Sequence, residues 1–338
     1  MEASQTQPST QPCSDPRRMG LNNSGLHDED LSDVVCILHP NSRAAHDAVA
    51  ATVSQTPQHI LQRDGLDYGS AVAGELDIAL RLSSDVRDIS AGFLFGRNAQ
   101  RCDVLLSSDD NAKRVSNIHF RIYLTSDGIV MLQDKSTNGT VVDDCRLWKG
   151  SRKSSRMLTN SSMIHVVCGN KPLEEAKFIV RIPSREGFVS EYTRNLIRYF
   201  ERAQQRQREA QGNHRIAGTK NTNNRISVHA GLQLSMTNAH GMHWNGGSTY
   251  NVTGQIGKGA FATVYKLATK QHGEIYAAKE LDKRRFMKNG ILDQKVDNEM
   301  KIMKDLKHVS KQKPLSCRKY EYSTDSLPRP SAEYSSVR

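Results

Sequence analysis

Two sets of residues in this chain of 338 residues have types and spacings suited to chemistry. The first is Gly96-Arg97, Ser116-Asn117-Ile118-His119 and Ser136-Thr137-Asn138-Gly139-Thr140. A guanidinium offers a forked, charge-assisted pair of donors, and a serine hydroxyl can add one more to the same oxyanion. Each piece alone has a plainer explanation. Asn138-Gly139 suits a tight hairpin turn, Arg97 a surface charge and Ser116 a turn hydroxyl. The second set is the glycine-rich run Ile256-Gly257-Lys258-Gly259-Ala260-Phe261-Ala262-Thr263-Val264, then Tyr276-Ala277-Ala278-Lys279-Glu280, then Glu299. Leu292, Val296, Met303 and Leu306 form an apolar helical stripe, and Glu299 falls on it. An inward carboxylate needs a cation, and Lys279 is the obvious one. His240 and His243 have a spacing that could hold a metal, but no further ligand lies close by, so no metal site is expected.

The elements that must position these residues are mostly strands. Leu76, Ile78, Leu80 and Leu82 alternate with Asp77, Ala79 and Arg81, which is strand periodicity. Short runs follow at 93–95, 104–106, 120–124, 129–132, 163–167 and 178–182, separated by polar turn-formers. Such spacing predicts an antiparallel β-sandwich over 74–183. Gly96-Arg97 follows a strand, Ser116 to His119 precedes one, and Ser136 to Thr140 joins two. Tyr192, Leu196, Phe200 and Ala203 recur at helical spacing. They predict a helix over 188–211, read as a linker helix, with packing on the sandwich or on another chain as alternatives. Residues 212–248 read as a loose linker. Order returns over 250–308 with two strands around the glycine-rich run, a third through Lys279, and a helix. Residues 1–70 and 309–338 read as disordered flanks. Val34 to Leu38 is an apolar island in the first of these, either a docking segment or without a role. The fold class is therefore mainly β with an α+β fragment, between disordered flanks.

Composition agrees with compact parts and loose flanks. Hydrophobic residues make up 37% and aromatics 6%, low for a single packed globule. The net charge of +11 favours acidic or phosphorylated partners. No basic block is dense enough to predict direct nucleic-acid binding. Asp282-Lys283-Arg284-Arg285 is only a weak nuclear-localisation signal. Six cysteines form no CxxC pair, which speaks against a zinc knuckle or a disulfide framework and for a reduced, intracellular chain. No secretory signal pattern and no apolar run near the ~18 residues of a membrane span is present, so no membrane partner is expected.

Taken together and in this order, the Gly-Arg, the Ser-x-x-His and the Asn-Gly turn resemble the FHA family over residues 74–183. The resemblance implies a phosphothreonine reader. A phosphothreonine carries about −1.5 to −2 charges and three acceptor oxygens. Arg97 and Ser116 would hold the phosphate, at roughly 1.5–3 kcal/mol per bond to the charged group. By the same resemblance Asn117, Thr137 and Asn138 approach the peptide backbone and the threonine methyl, and His119 buttresses the loops without a catalytic role. One departure is Asp143-Asp144, where the family often has a second Asn-Gly. It leaves the phosphate contacts alone and bears on peptide selectivity.

Residues 250–308 resemble the small lobe of a Ser/Thr protein kinase. That implies ATP, with magnesium in the full-length family. Gly257, Lys258 and Gly259 would approach the phosphates, Val264 and Ala277 would line the adenine, and Lys279, oriented by Glu299, would hold the phosphates. The family's third glycine is Ala262 here, which stiffens the loop slightly. Neither His-Arg-Asp nor Asp-Phe-Gly occurs in the chain. No catalytic residue is therefore assigned. The expectation is a kinase domain that stops after the small-lobe helix, unable to transfer phosphate efficiently by itself and with ATP binding by the fragment left open. A non-catalytic phosphothreonine-binding adaptor or a blocking isoform is the alternative.

Ser4-Gln5, Thr6-Gln7 and Thr10-Gln11, with Ser54-Gln55 later, resemble target sites of the large DNA-damage-response kinases. Such a cluster, an FHA domain and a Ser/Thr kinase follow the layout of the DNA-damage checkpoint effector kinases, and Gly-Ala-Phe-Ala-Thr-Val is especially similar to the fungal members. That kinship implies phosphothreonine proteins and upstream DNA-damage kinases as partners. It also implies self-association through phosphorylated Thr6 or Thr10, and a nuclear location.

Overall fold

The computed structural model describes residues 23, 26–62, 76–107, 114–167, 175–212, 241–244, 246–260, 262–282, 286–288, 291–295, 298, 301, 314–319 and 332–337. The chain is mostly β. A sandwich opens with α1 (Asp28–Asp33), β1 (Val34–Pro40), α2 (Arg43–Gln55) and β2 (Ile60–Gln62). It continues through β3 (Leu76–Arg81), β4 (Phe93–Gly96), β5 (Val104–Leu105), β6 (Phe120–Leu124), β7 (Val130–Asp134), β8 (Thr140–Val142), β9 (Cys145–Leu147), β10 (Ser155–Met157), β11 (Met163–Val166) and β12 (Ala176–Arg181). One sheet has the order β2-β3-β1-β12-β11-β8-β9, and the other β10-β7-β6-β4-β5. The seven strands expected from the alternation are all present.

The two inner faces meet in a single core. Cys36, Leu38, Phe178 and Val180 from the first sheet pack against Phe95, Phe120, Ile122 and Leu132 from the second. Phe95 and Phe120 stack with ring centroids 4.5 Å apart. Burial of each such side chain contributes about 1.5–3 kcal/mol.

The disordered flank expected over 1–70 needs correction. Val34 to Leu38 is neither a docking segment nor without a role. It is β1, seated between β3 and β12 in the middle of a sheet. Its side chains are buried on both faces, so a continuous apolar run replaced the alternation that marks a half-exposed strand. Ser42 caps α2 by accepting from the Ala45 amide, and Ala45, Ala48 and Val49 of that helix join the core. Arg185, beyond β12, is 4% exposed and donates to the carbonyls of Leu31, Val34 and Val35, locking this early segment to the sandwich.

The expected linker helix is α3 (Val189–Gly212), and it is packed on the sandwich. Tyr192, Leu196, Tyr199 and Phe200 are buried in the sandwich core. The Arg185 guanidinium lies 3.9 Å from the Tyr192 ring centroid, and Asn195 donates to the Ser32 carbonyl at 2.9 Å.

A carboxy-terminal sheet holds β13 (Tyr250–Lys258), β14 (Ala262–Thr269) and β15 (Ile275–Asp282). A small pair, β16 (Met287–Lys288) and β17 (Ile291–Leu292), follows. Leu292 thus lies in a strand rather than on the expected helical stripe. The tail expected to lack structure adds β18 (Pro314–Lys319) and β19 (Ala332–Val337), giving the order β13-β14-β15-β19-β18. The linker expected over 212–248 also ends early, because Met242 and Trp244 pack on the cluster of Val252, Tyr265, Leu267, Tyr276 and Ala278. Glu299 and most of its helix, the Thr6 and Thr10 pairs, and the greater part of the linker lie outside the described residues. Among the described residues no helix is long and apolar enough to cross a membrane, and no group of three metal-ligating side chains forms.

Candidate phosphate-binding groove

Antiparallel pairing brings the first set of residues to one end of the second sheet. Phe95 pairs with Phe120, and Phe120 with Asp134. The segments just beyond them, Gly96-Arg97, Ser116 to His119 and Lys135 to Gly139, therefore lie side by side. The Arg97 amide donates to the Ser116 carbonyl at 3.2 Å, and the Asn98 amide to the Asn117 carbonyl at 3.4 Å. The glycine before Arg97 has a steric reason, since a Cβ at Gly96 would stand 2.2 Å from the Asn117 carbonyl oxygen.

A groove of about 630 Å³ opens over these loops. Arg97, Ser116, Asn117 and Thr137 line it. Ser116 Oγ accepts from the Thr137 amide at 3.2 Å, which ties two loops together and leaves the hydroxyl hydrogen to donate elsewhere. Asn138 is placed differently and does not line the groove. Its side-chain amide donates to the Arg114 carbonyl at 2.8 Å, and its own carbonyl accepts from Arg146 at 2.8 Å. These two bonds tie the turn to the Arg114 and Arg146 segments.

Beneath the loops lies a buried polar network. His119 is 0% exposed; the Ser116 amide donates to its Nδ1 at 3.2 Å, and its Nε2 contacts the Gly139 carbonyl at 3.3 Å. With Nδ1 accepting, the proton belongs on Nε2, so the ring is neutral and spans two loops. Burial pushes its pKa down to about 4. Asp134 accepts from the hydroxyls of Ser136 and Thr140, at 2.8 and 2.7 Å, and from the Ser136 amide at 3.1 Å. Ser136 Oγ in turn accepts from the Gly139 amide at 2.7 Å. Burial raises the Asp134 carboxyl above the usual range, while these donors pull the other way. Gly139 has φ +92°, and a Cβ there would lie 2.8 Å from the Leu147 carbonyl oxygen, so glycine at this turn is a steric requirement.

Sequence reading missed the other cations. Arg101, Arg121, Lys135 and Lys149 also line the groove, against the single acid Asp88. Asp88 already accepts from Ser90 and Ala91. Burial, and then Arg121 and Lys149, lower the Lys135 pKa. These residues are scattered along the chain, and their convergence exists only in the fold. An electropositive groove with preset donors is suited to a dianionic phosphate on an extended segment.

The second set is partly assembled. Gly257 pairs with Val264, Val264 with Lys279, and Lys266 with Ala277. Cross-strand partners share a face, so Gly257, Val264, Ala277 and Lys279 stand together on one side of the sheet. The opposite side buries Tyr265, Leu267, Tyr276 and Ala278. The Gly259 amide donates to the Ala262 carbonyl at 2.8 Å, closing the glycine-rich turn just beyond Lys258, the last residue of β13. A Cβ at Gly257 would meet nothing within 4 Å, so the space above the turn is open. His243, half of the dismissed metal pair, instead bonds Glu280 through both its amide and Nδ1, each at 3.0 Å. Asp143 and Asp144 lie away from the phosphate groove. Asp143 accepts from the Met163 amide at 2.9 Å, and both aspartates line a separate cleft between the sandwich and the carboxy-terminal sheet.

Comparison with known proteins finds two domain families along the chain. Residues 93–166 match the FHA domain family and residues 250–311 the protein kinase domain family. The chain is 26% identical over 232 residues to serine/threonine-protein kinase cds1 of Schizosaccharomyces pombe, covering 65% of this chain and 38% of that protein. It is 28% identical over 226 residues to serine/threonine-protein kinase RAD53 of Saccharomyces cerevisiae, covering 66% of this chain and 24% of that protein. The chain thus spans less than two-fifths of the length of either relative. Among solved structures, Rad53 1-466 with AMP-PNP is similar at 19% identity and a TM-score of 0.34, over 90% of this chain and 54% of that one. The N-terminal FHA domain of S. cerevisiae Rad53p with a phosphothreonine peptide is 33% identical, at a TM-score of 0.24, over 28% of this chain and 69% of that one.

Proposed function

Because this chain carries an FHA domain and part of a protein kinase domain and is homologous to the Cds1 and Rad53 checkpoint kinases, we propose that its groove captures proteins bearing phosphothreonine. The convergence of Arg97, Ser116, Asn117 and Thr137 on one cationic groove carries this reading. Arg97 binds the phosphate through its fork, Ser116 donates its hydroxyl, and Asn117 and Thr137 meet the peptide beside it. The partners proposed are phosphoproteins made by upstream DNA-damage kinases, including a second copy of this chain phosphorylated on Thr6 or Thr10. A nuclear location goes with that kinship.

The carboxy-terminal sheet is proposed as the nucleotide side of a Ser/Thr kinase of checkpoint type. Gly257, Lys258, Gly259, Val264, Ala277, Lys279 and Glu299 would hold ATP with magnesium, and the open turn and shared sheet face fit such a ligand. When bound, that group supplies the transferable phosphoryl. The His-Arg-Asp and Asp-Phe-Gly tripeptides do not occur in these 338 residues. The role proposed for this stretch is therefore phosphothreonine capture without phosphoryl transfer of its own.

The test is a titration of the full chain with a phosphothreonine peptide and its unphosphorylated twin. Micromolar binding, about −8 kcal/mol, should require the phosphate and fall roughly a hundredfold in Arg97→Ala. Equal binding of the two peptides would sink the reading.

A further inference from the structure

The end of β6 and β7 opposite the phosphate loops carries an outward row of apolar side chains. Tyr123 on β6 pairs with Met131 on β7, and Met131 with Met157 on β10. Alternation sends Val130 and Leu132 into the sandwich core, so Met131 points out of it. Yet Met131 is 0% and Met157 2% exposed. What covers them is the turn between β14 and β15. Ile129, Met131 and Met157 form one cluster with Ala268, and Ile275 packs against it.

The fit is close and has polar edges. A Cβ on Gly273, whose φ is +69°, would stand 2.9 Å from Met131 Sδ and 3.2 Å from Thr125 Cγ2. The Met157 amide donates to the Lys270 carbonyl at 2.6 Å, which satisfies a donor on β10, the edge strand of its sheet. Gln271 donates its side-chain amide to the Arg152 carbonyl.

We propose that the outward face of β6, β7 and β10 is a docking surface for this chain's own Lys270–Glu274 turn, joining the FHA sandwich and the kinase sheet into one body. The consequence reaches both sites. The phosphate groove lies at the far end of β6 and β7, about 16 Å along the strands. The glycine-rich turn lies at the far end of β14, about 25 Å along that strand. A phosphoprotein held in the groove therefore stands at a fixed place relative to the nucleotide side. The joint does not depend on what the groove binds.

Methionine oxidation of the full chain by peroxide, followed residue by residue by mass spectrometry, tests the joint, because sulfoxide formation follows exposure. With free methionine added as a standard, Met131 and Met157 should oxidise at least tenfold more slowly than the standard in the wild-type chain. Gly273→Val, which overfills the contact, and Ala268→Glu, which places a charge in it, should each bring both methionines to within about threefold of the standard. Phosphothreonine-peptide affinity should change less than twofold in both variants, which shows that the sandwich is intact. Fast oxidation of Met131 and Met157 in the wild type, or full protection in both variants, overturns the proposal. A chain that binds no phosphopeptide but protects both methionines would refute the groove assignment and leave the joint standing.

Discussion

The two candidate phosphate-binding regions of this molecule are built by opposite means. In the sandwich, the groove rests on buried polar groups that are already bonded: Asp134 fixes Ser136 and Thr140, and His119 spans Ser116 and Gly139. In the kinase sheet, Gly257, Val264, Ala277 and Lys279 share a face by strand register alone, over a smaller core. The first region is preorganised, so it loses little on binding. The second presents an open face around a glycine-rich turn. The difference teaches that loops become a rigid binding site when their polar groups are bonded beneath the surface.

Breaking the steric supports should have the largest effect. Gly96→Ala drives a Cβ into the Asn117 carbonyl. A loss of about 3 kcal/mol in unfolding free energy is expected, with phosphopeptide binding abolished, both readable by denaturant titration and anisotropy. The same substitution at Gly257, where a Cβ meets nothing, should leave stability almost unchanged. If the two glycines behave alike, the contrast between a packed and an open loop is wrong.

Acid should loosen the sandwich next. His119 and His59 are buried, and both pKa values are lowered from 6.5 to about 4. The unfolded chain therefore takes up protons that the folded one refuses. Stability is full above pH 6.5 and is lost as pH falls through the window down to about 4. Each histidine should cost about 2 kcal/mol between pH 7 and pH 5. Asp103 and Asp134, raised by burial, act in the opposite sense. Thermal melts across this window should show a shallower pH dependence in His119→Gln than in the wild type.

A smaller effect is expected for Ser116→Ala. It removes one donor to the phosphate and the acceptor for the Thr137 amide, and should weaken phosphopeptide binding about tenfold by calorimetric titration. Smallest of all is Lys279→Ala, which should change phosphopeptide affinity less than twofold. A large change there would show that the two sites share more than a joint.

Alternation along the chain placed seven strands of the sandwich, and the order of Gly96-Arg97, Ser116 to His119 and Asn138-Gly139 was enough to locate the groove. These signals are local. Each needs only the residue types within one strand or turn, because side-chain period and turn geometry are set by the backbone nearby. The same reading missed β1. A strand buried on both faces loses its alternation, and nothing in Val34 to Leu38 says that β3 and β12 will flank it. It read α3 as a linker because an amphipathic stripe names no partner. It could not find Arg101, Arg121, Lys135 and Lys149, which are distant along the chain and neighbours only in space. The outward row of Tyr123, Met131 and Met157 was equally invisible, since what covers it comes from residues some 140 positions later. The sequence by itself determined the seven alternating strands, the Asn-Gly turn and the residue types of the candidate phosphate donors. Only the tertiary structure decided which charges converge on the groove, where the sandwich begins and what its outer face carries, because those outcomes depend on burial between segments remote in the chain.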